Sequence, residues 1–177
     1  MRERDRAERS LALAGAFDAA YARLRAPLYS FLLRLSGSAQ LAEDLLQETW
    51  VRYARQLGRL GSEQDPRRWL FTVARNLYRS HRRWAVLDAE RLRELAFWPS
   101  GERAGPFEAL CASESERRLE RTLAELPLEQ REAVLLCAGA GFSPAEAATV
   151  VGIGGEAFRQ RLARGRATLR ERLERDT

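Results

Sequence analysis

The sequence predicts an all-α fold of two small helical domains joined by a linker. Three observations carry this. Apolar residues recur at three- and four-residue spacing along most of the chain, with no alternating β-branched runs and no Asn-Gly or Asp-Gly hairpin turns. The strong helix formers Ala, Leu, Arg and Glu dominate. Two such helical stretches flank a middle segment, 85–112, that carries the breakers Pro99-Ser100-Gly101 and Gly105-Pro106. A chain of 177 residues has room for two small domains or one ordinary one.

The first domain is expected over 10–84. A helix over 16–35 places Phe17, Ala20, Leu24, Leu28, Phe31 and Leu35 at core spacing, and Gly37-Ser38 ends it. The next, 39–57, carries Leu46, Trp50, Tyr53 and Leu57 on one face and Asp44, Gln47, Glu48, Val51 and Arg55 on the other. A turn-rich stretch from Gly58 to Gln64 follows. Asp65-Pro66 then reads as an N-cap with proline at the first helical position. That third helix is expected to end near Trp84, with Leu70, Val73, Leu77 and Trp84 packing inward.

The middle segment is expected to be a flexible acidic linker. Residues 85–116 hold three Arg against seven acids, a local charge of −4 in a chain of net +5. The second domain is expected over 113–175. A helix over 113–125 stops at Leu126-Pro127, and one over 128–139 ends in Gly139 and Gly141. Ser143-Pro144-Ala145-Glu146 is a capping box with proline at its first helical position. The helix it opens stops at Gly152-Ile153-Gly154, and a last helix runs over 155–173.

Composition narrows the function. All 30 basic residues are arginine, which stays charged and grips phosphate through a planar fork. The missing lysines fit a GC-rich coding sequence. The basic balance points to an anionic partner, nucleic acid first. No apolar run approaches the ~20 residues of a membrane span. Four Arg fall within 2–9, but Glu3, Asp5 and Glu8 dilute them and Asp18 cuts the apolar stretch, which favours a solvated tail over a signal peptide. Cys111 and Cys137 make neither a disulfide framework nor a metal quartet and are expected to be inert, Cys137 buried in an apolar helix. His81, at the rim of the expected core stripe, reads as a structural histidine. Catalytic residues, metal ligands, cofactors and a small-molecule substrate are therefore not expected, and the protein is not read as an enzyme.

Three constellations stand out. Residues 67–84 hold six Arg and no acid, with Arg68, Thr72, Arg75, Asn76, Arg79, Arg82 and Arg83 facing outward. Like charges at this density repel, so the face is best sustained by an anion. The interleaved Trp69, Phe71, Tyr78 and Trp84 suit unstacked bases. The short and long helices around Gly152 form a helix-turn-helix. Within it Glu156, Arg159, Gln160, Ala163 and Arg164 face away from Phe158, Leu162 and Leu169, as base-reading side chains must. Finally, Glu43, Asp44, Gln47 and Glu48 form an acidic face that lacks ligand or acid–base spacing and reads as a protein-docking surface.

These residues resemble one family. Residues 41–53, LAEDLLQETWVRY, and 69–83, WLFTVARNLYRSHRR, are similar to region 2 of bacterial RNA polymerase sigma factors of the sigma-70 family, most of all the extracytoplasmic-function (ECF) group. Residues 126–136, LPLEQREAVLL, and 142–173 resemble region 4 of the same group, and the likeness covers most of 15–173. It implies a region 2 helical bundle and a region 4 helix-turn-helix. It implies that Asp44, Gln47 and Glu48 dock on core RNA polymerase. It places Arg75, Asn76, Arg79, Arg82 and Arg83 at the −10 element, where the duplex is melted. Glu156, Arg159, Gln160 and Arg164 fall at the −35 element. Family members are often held inactive by a membrane-bound anti-sigma factor, which implies a cytoplasmic protein with core polymerase, promoter DNA and an anti-sigma factor as partners. Two departures are plain. Ser80 stands where the family often has Asp. Gly154, Glu156, Ala157 and Phe158 replace the usual Ser and Gly-Thr-Val opening of the recognition helix. A stand-alone helix-turn-helix regulator acting as a dimer is the alternative reading; it has no need of the acidic face.

A fully extended linker of this length reaches ~90 Å at ~3.3 Å per residue. That reach is long enough for the two arginine faces to sit about two duplex turns, ~70 Å, apart.

Overall fold

The computed structural model describes residues 2–59, 65–95 and 113–175. They are helical throughout: α1 (Arg2–Ser36), α2 (Ala39–Gln56), α3 (Pro66–Leu95), α4 (Glu114–Ala124), α5 (Leu128–Val134), α6 (Pro144–Val151) and α7 (Gly155–Arg175). One wide π-turn, Leu135–Gly139, continues α5.

Helices α1, α2 and α3 form the first bundle. Leu24, Leu28, Phe31, Leu32 and Leu35 of α1 meet Ala42, Leu46, Trp50 and Tyr53 of α2 and Leu70, Phe71, Ala74 and Tyr78 of α3. Gly37 reverses the chain at a φ of +69°, where a Cβ would be strained. Ser38 then caps α2 by accepting the Leu41 N–H at 3.3 Å. Asp65 accepts the Arg67 N–H at 3.0 Å, just before Pro66 opens α3.

Two boundaries differ from expectation. Helix α1 starts at Arg2 rather than near residue 16, and α3 continues past Trp84 to Leu95. The cause is the same at both places. Residues 2–15 and 85–95 change charge pattern but contain no proline, and their Ala, Leu, Arg and Glu favour helix. A change of charge does not stop a helix. The stops themselves, the two breaker clusters of the middle segment, lie outside the described residues, as do Cys111 and most of the Gly58–Gln64 turn.

Helices α4 to α7 form the second bundle around Leu123, Leu126, Val134, Leu136, Ala147, Val150, Phe158 and Leu162. Complete capping boxes open α4 (Ser113 with Glu116) and α6 (Ser143 with Glu146). Gly152, at φ +75°, ends α6 and makes the turn into α7.

The two bundles share one continuous core. Phe142, projected after the π-turn, packs edge-on against Phe71 of α3 with ring centroids 5.1 Å apart. Arg34 of α1 pairs with Glu120 of α4 at 2.9 Å. Arg131 of α5 donates to the Leu35 carbonyl at 3.2 Å. In this arrangement the two bundles are packed against each other.

Candidate nucleic-acid and polymerase interfaces

Helix α3 presents its arginines on two different surfaces. Asn76, Arg82 and Arg83 are exposed, next to Trp84 at 59% exposure. Arg75 is only 6% exposed and Arg79 is half-buried. Arg75 Nε lies 3.1 Å from Glu132 Oε2 of α5, and Arg75 Nη1 donates to Asn76 Oδ1 at 3.1 Å. Arg79 spans two carboxylates, reaching Glu132 Oε2 at 3.3 Å and Glu129 Oε1 at 3.0 Å. The expected outward arc of α3 is corrected here: Arg75 faces the second bundle, not solvent.

The inward stripe is corrected too. Leu70 is buried, but Trp84 is not, and Val73 and Leu77 are only half-buried. Phe71 and Tyr78, expected as base platforms, are core residues. Trp69 is half-buried against Tyr53, with ring centroids 5.7 Å apart. The buried arc of α3 runs Leu70, Phe71, Ala74, Arg75, Tyr78, because a second bundle covers a side of the helix that one bundle would leave wet. His81, expected at the core rim, is exposed. Beside the exposed arginines a groove of about 950 Å3 runs between α3 (Asn76, Arg82, Arg83, Val86, Leu87) and Pro127-Leu128-Glu129.

The Glu132 carboxylate is completely buried, and burial raises its pKa above the ordinary value against the pull of Arg75 and Arg79. Its Oε1 has no hydrogen-bond partner. Glu129 behaves oppositely: a hydrogen bond from its own backbone N–H, then Arg79 and Arg161, lower its pKa.

The helix-turn-helix is built as its caps and turn imply. Glu156, Arg159, Gln160, Ala163 and Arg164 all lie exposed on α7, while Phe158 and Leu162 are buried beneath them. Glu156 does not stand apart as an acid. Arg159 donates to its Oε2 from Nε at 3.2 Å and from Nη2 at 2.6 Å, and Gln160 Nε2 reaches Oε1 at 3.5 Å. Those bonds hold its pKa below the ordinary value.

On α2, Asp44 and Gln47 are exposed and Glu48 half-buried; Gln47 borders the groove that Trp50 lines. Arg52 pairs with Glu48 at 2.7 Å. Next to this face a groove of about 390 Å3 is lined by Phe17, Tyr21, Leu46, Trp50 and Val51, with the buried Trp50 Nε1 left without a partner. Cys137 is half-buried, and burial raises its thiol pKa. Among the described residues no group of His, Cys, Asp and Glu could hold a metal ion, and no helix is long and apolar enough to cross a membrane.

Residues 20–85 match the sigma-70 region 2 family and residues 116–169 match sigma-70, region 4. The chain is 34% identical over 147 residues to the ECF RNA polymerase sigma factor EcfG of Rhodopseudomonas palustris, covering 80% of this chain and 76% of that one. It is 35% identical over 150 residues to the ECF RNA polymerase sigma factor SigL of Mycobacterium tuberculosis, covering 81% of each. The chain belongs to the ECF group of the sigma-70 family.

The fold of this sigma factor is also similar to solved structures. The sigma factor RpoE, in complex with the anti-sigma factor NepR from Bartonella quintana, matches with a TM-score of 0.76 at 25% identity over 92% of this chain and 99% of that one. CnrH, in complex with the cytosolic domain of CnrY, matches with a TM-score of 0.70 at 26% identity, covering 95% and 96%.

Sequence reasoning missed three groups in this sigma factor. Glu129 and Glu132 supply the anion that the arginine face of α3 was expected to need, and they come from α5. Only the unexplained density of like charge hinted at them. Arg67 donates to the Ala140 carbonyl and stacks 3.9 Å from the Phe142 ring. Gly165 lies buried in mid-helix, where a lone glycine was the available signal.

Proposed function

We propose that this sigma factor docks on core RNA polymerase through Asp44, Gln47 and Glu48 of α2. It reads and melts the −10 element through Arg75, Asn76, Arg79, Arg82 and Arg83 of α3. It contacts the −35 element through Glu156, Arg159, Gln160 and Arg164 of α7, and so directs promoter-specific initiation. The observation that carries this is the segregation of surfaces: an acidic face on α2 is separate from the exposed Arg82 and Arg83 of α3 and the exposed Arg159 and Arg164 of α7. An acidic face is repelled by DNA, so it suits a protein partner, whereas the arginine faces exchange counterions with phosphate.

No bond is made or broken in this role. Binding energy opens the duplex: phosphate contacts from Arg82 and Arg83 hold one strand, and exposed Asn76 and Trp84 offer an amide and a ring to an unstacked base. On α7 the Glu156 carboxylate fixes Arg159 and Gln160, so the two readers approach the groove in one geometry. The stand-alone dimeric regulator is not favoured, because it leaves the α2 face without a use. Similarity to sigma factors solved with anti-sigma partners supports the same class of partner here. We place the protein in the cytoplasm, with any attachment to the membrane made through that partner.

The test is run-off transcription with purified core polymerase on genomic fragments. Asp44→Ala with Glu48→Ala should abolish co-purification with core polymerase and the run-off transcript, while helicity and binding to DNA alone persist. Undiminished polymerase binding would remove α2 from the docking surface, and DNA binding without any polymerase-dependent transcript from the unaltered protein would restore the stand-alone regulator.

A further inference from the structure

The opening turn of α7 ties an acid to the two side chains proposed to read bases. Arg159 donates to Glu156 Oε2 from Nε at 3.2 Å and from Nη2 at 2.6 Å, and Gln160 Nε2 reaches Oε1 at 3.5 Å. One carboxylate thus holds the neighbours three and four positions on, where the helical repeat brings them alongside it. Arg159 Nη1 lies back over Gly155, 3.6 Å from where a Cβ would stand, so the guanidinium crosses a bare first turn. Arg164, exposed further along the same face, makes no ion pair among the described residues.

We propose that Glu156 is a specificity-determining residue: it lowers affinity for DNA in general and raises discrimination at the base pair that Arg159 meets. It does so as a positioning residue, through Arg159. This rests on the reading of α7 as the −35 face.

A guanidinium carries five N–H donors in a fixed fork. Glu156 takes the edge formed by Nε and Nη2, which leaves the end-on edge of Nη1 and Nη2. That edge fits the two acceptors that guanine shows in the major groove. An unpaired arginine at this position has a second choice, a backbone phosphate, which every sequence offers. The carboxylate opposes that choice in two ways. It offsets the charge that attracts a phosphate, and it is itself an anion that a phosphate on the same fork must approach. A neutral base edge meets neither obstacle. The acid therefore weakens binding to wrong sequences more than to the right one, and Arg164 is left to supply the sequence-independent contact.

The test uses holoenzyme formed from the full chain and core polymerase. Its ligands are duplexes carrying a promoter recovered by run-off transcription, with each −35 base pair changed in turn. In Glu156→Ala the affinity ratio between the best and the changed duplex should fall at one base pair by about fivefold or more, the lower end of what one bidentate contact discriminates. The fall should come from tighter binding to the changed duplexes. The plot of log affinity against log salt should steepen by about 0.9, as for one further phosphate on duplex DNA. Glu156→Gln, which keeps an acceptor oxygen without the charge, should lie between Glu156→Ala and the unaltered protein. A control, Glu171→Gln, makes the same charge change on α7 about 22 Å away, at ~1.5 Å per residue. An equal shift in that control assigns the effect to bulk charge and overturns the proposal. An acid in the first turn also favours the helix dipole. A lower denaturation midpoint in Glu156→Ala, with base preference and salt slope unchanged, reduces Glu156 to that role and overturns the proposal too. Arg159→Ala separates the two readings. If it leaves affinity and preference unchanged, the −35 reading of α7 fails and takes the proposal with it. If it relaxes one base pair and Glu156→Ala does not, only the proposal falls.

Discussion

Gly165 shows how tightly α7 is seated on α5. A Cβ built there would come within 2.9 Å of Val134 Cγ2 and 3.1 Å of the Gln130 carbonyl oxygen. In an exposed helix, alanine would stabilise this position by about 1 kcal/mol relative to glycine. Here overpacking outweighs that gain, since the clash includes backbone. Gly165→Ala should destabilise the protein by about 1–3 kcal/mol, read as a lower chemical denaturation midpoint. A midpoint at or above that of the unaltered protein would show that α5 and α7 can separate without cost. Glu156 makes the complementary point on the exposed side of the same helix. A negative charge at the opening of the recognition helix is by itself unfavourable for DNA, yet it is bonded to Arg159 and Gln160. The charge presented there is that of the ensemble, not of the acid.

At the scale of the element, α3 does three things with one helix. Its buried arc joins both bundles, its N-terminal turn clamps Phe142 through Arg67, and its exposed arc turns Arg82 and Arg83, proposed to bind phosphate, to solvent. Only the last of these faces solvent in the packed arrangement. Arg82→Ala with Arg83→Ala should therefore weaken binding to all single strands alike. It should also flatten the plot of log affinity against log salt by about 0.7 for each phosphate that is no longer neutralised. An unchanged slope would mean that this arc does not touch the backbone. Helix α6 is the contrast. Ser143 and Glu146 close its capping box, Pro144 sets its first turn, and Gly152 ends it. Every one of these is a local signal, and the element lies where those signals put it.

For the whole molecule, the burial of Glu132 between the bundles predicts a pH-dependent interface. The pKa of Glu132 is raised above the ordinary 4.5 by burial. The packed state therefore binds more protons than the unfolded state, and this carboxyl favours packing most at low pH. Its contribution is complete below 4.5 and is lost as pH rises through the raised value. The carboxyls of Glu129 and Glu146, whose pKa values are lowered, contribute with the opposite sign. The measurement is thus a difference. The midpoint of the unaltered protein, compared with that of Glu132→Gln, should fall steadily as pH is raised from 4.5 towards neutrality. A difference independent of pH would show that Glu132 titrates as it does in the unfolded chain.

The helices, their caps and the outward faces of α2 and α7 were legible in the amino-acid sequence, because each depends on residues within a turn or two of one another. Asp44 falls opposite Tyr53, and Gln160 opposite Phe158 and Leu162, by the helical repeat alone. The family, too, was readable from strings such as AEDLLQE and WLFTVARN. The ends of α1 and α3 were not, since a change in charge marks no boundary in a backbone of good helix formers. Nor was the fate of the arginine face. A sequence can show that six arginines need an anion, but not which one, because Glu132 lies 53 positions from Arg79 and no periodicity links them. That choice is made by packing: the edge of Phe142 against Phe71 sets α5 over α3, and burial then decides that Arg75 meets a carboxylate of its own chain.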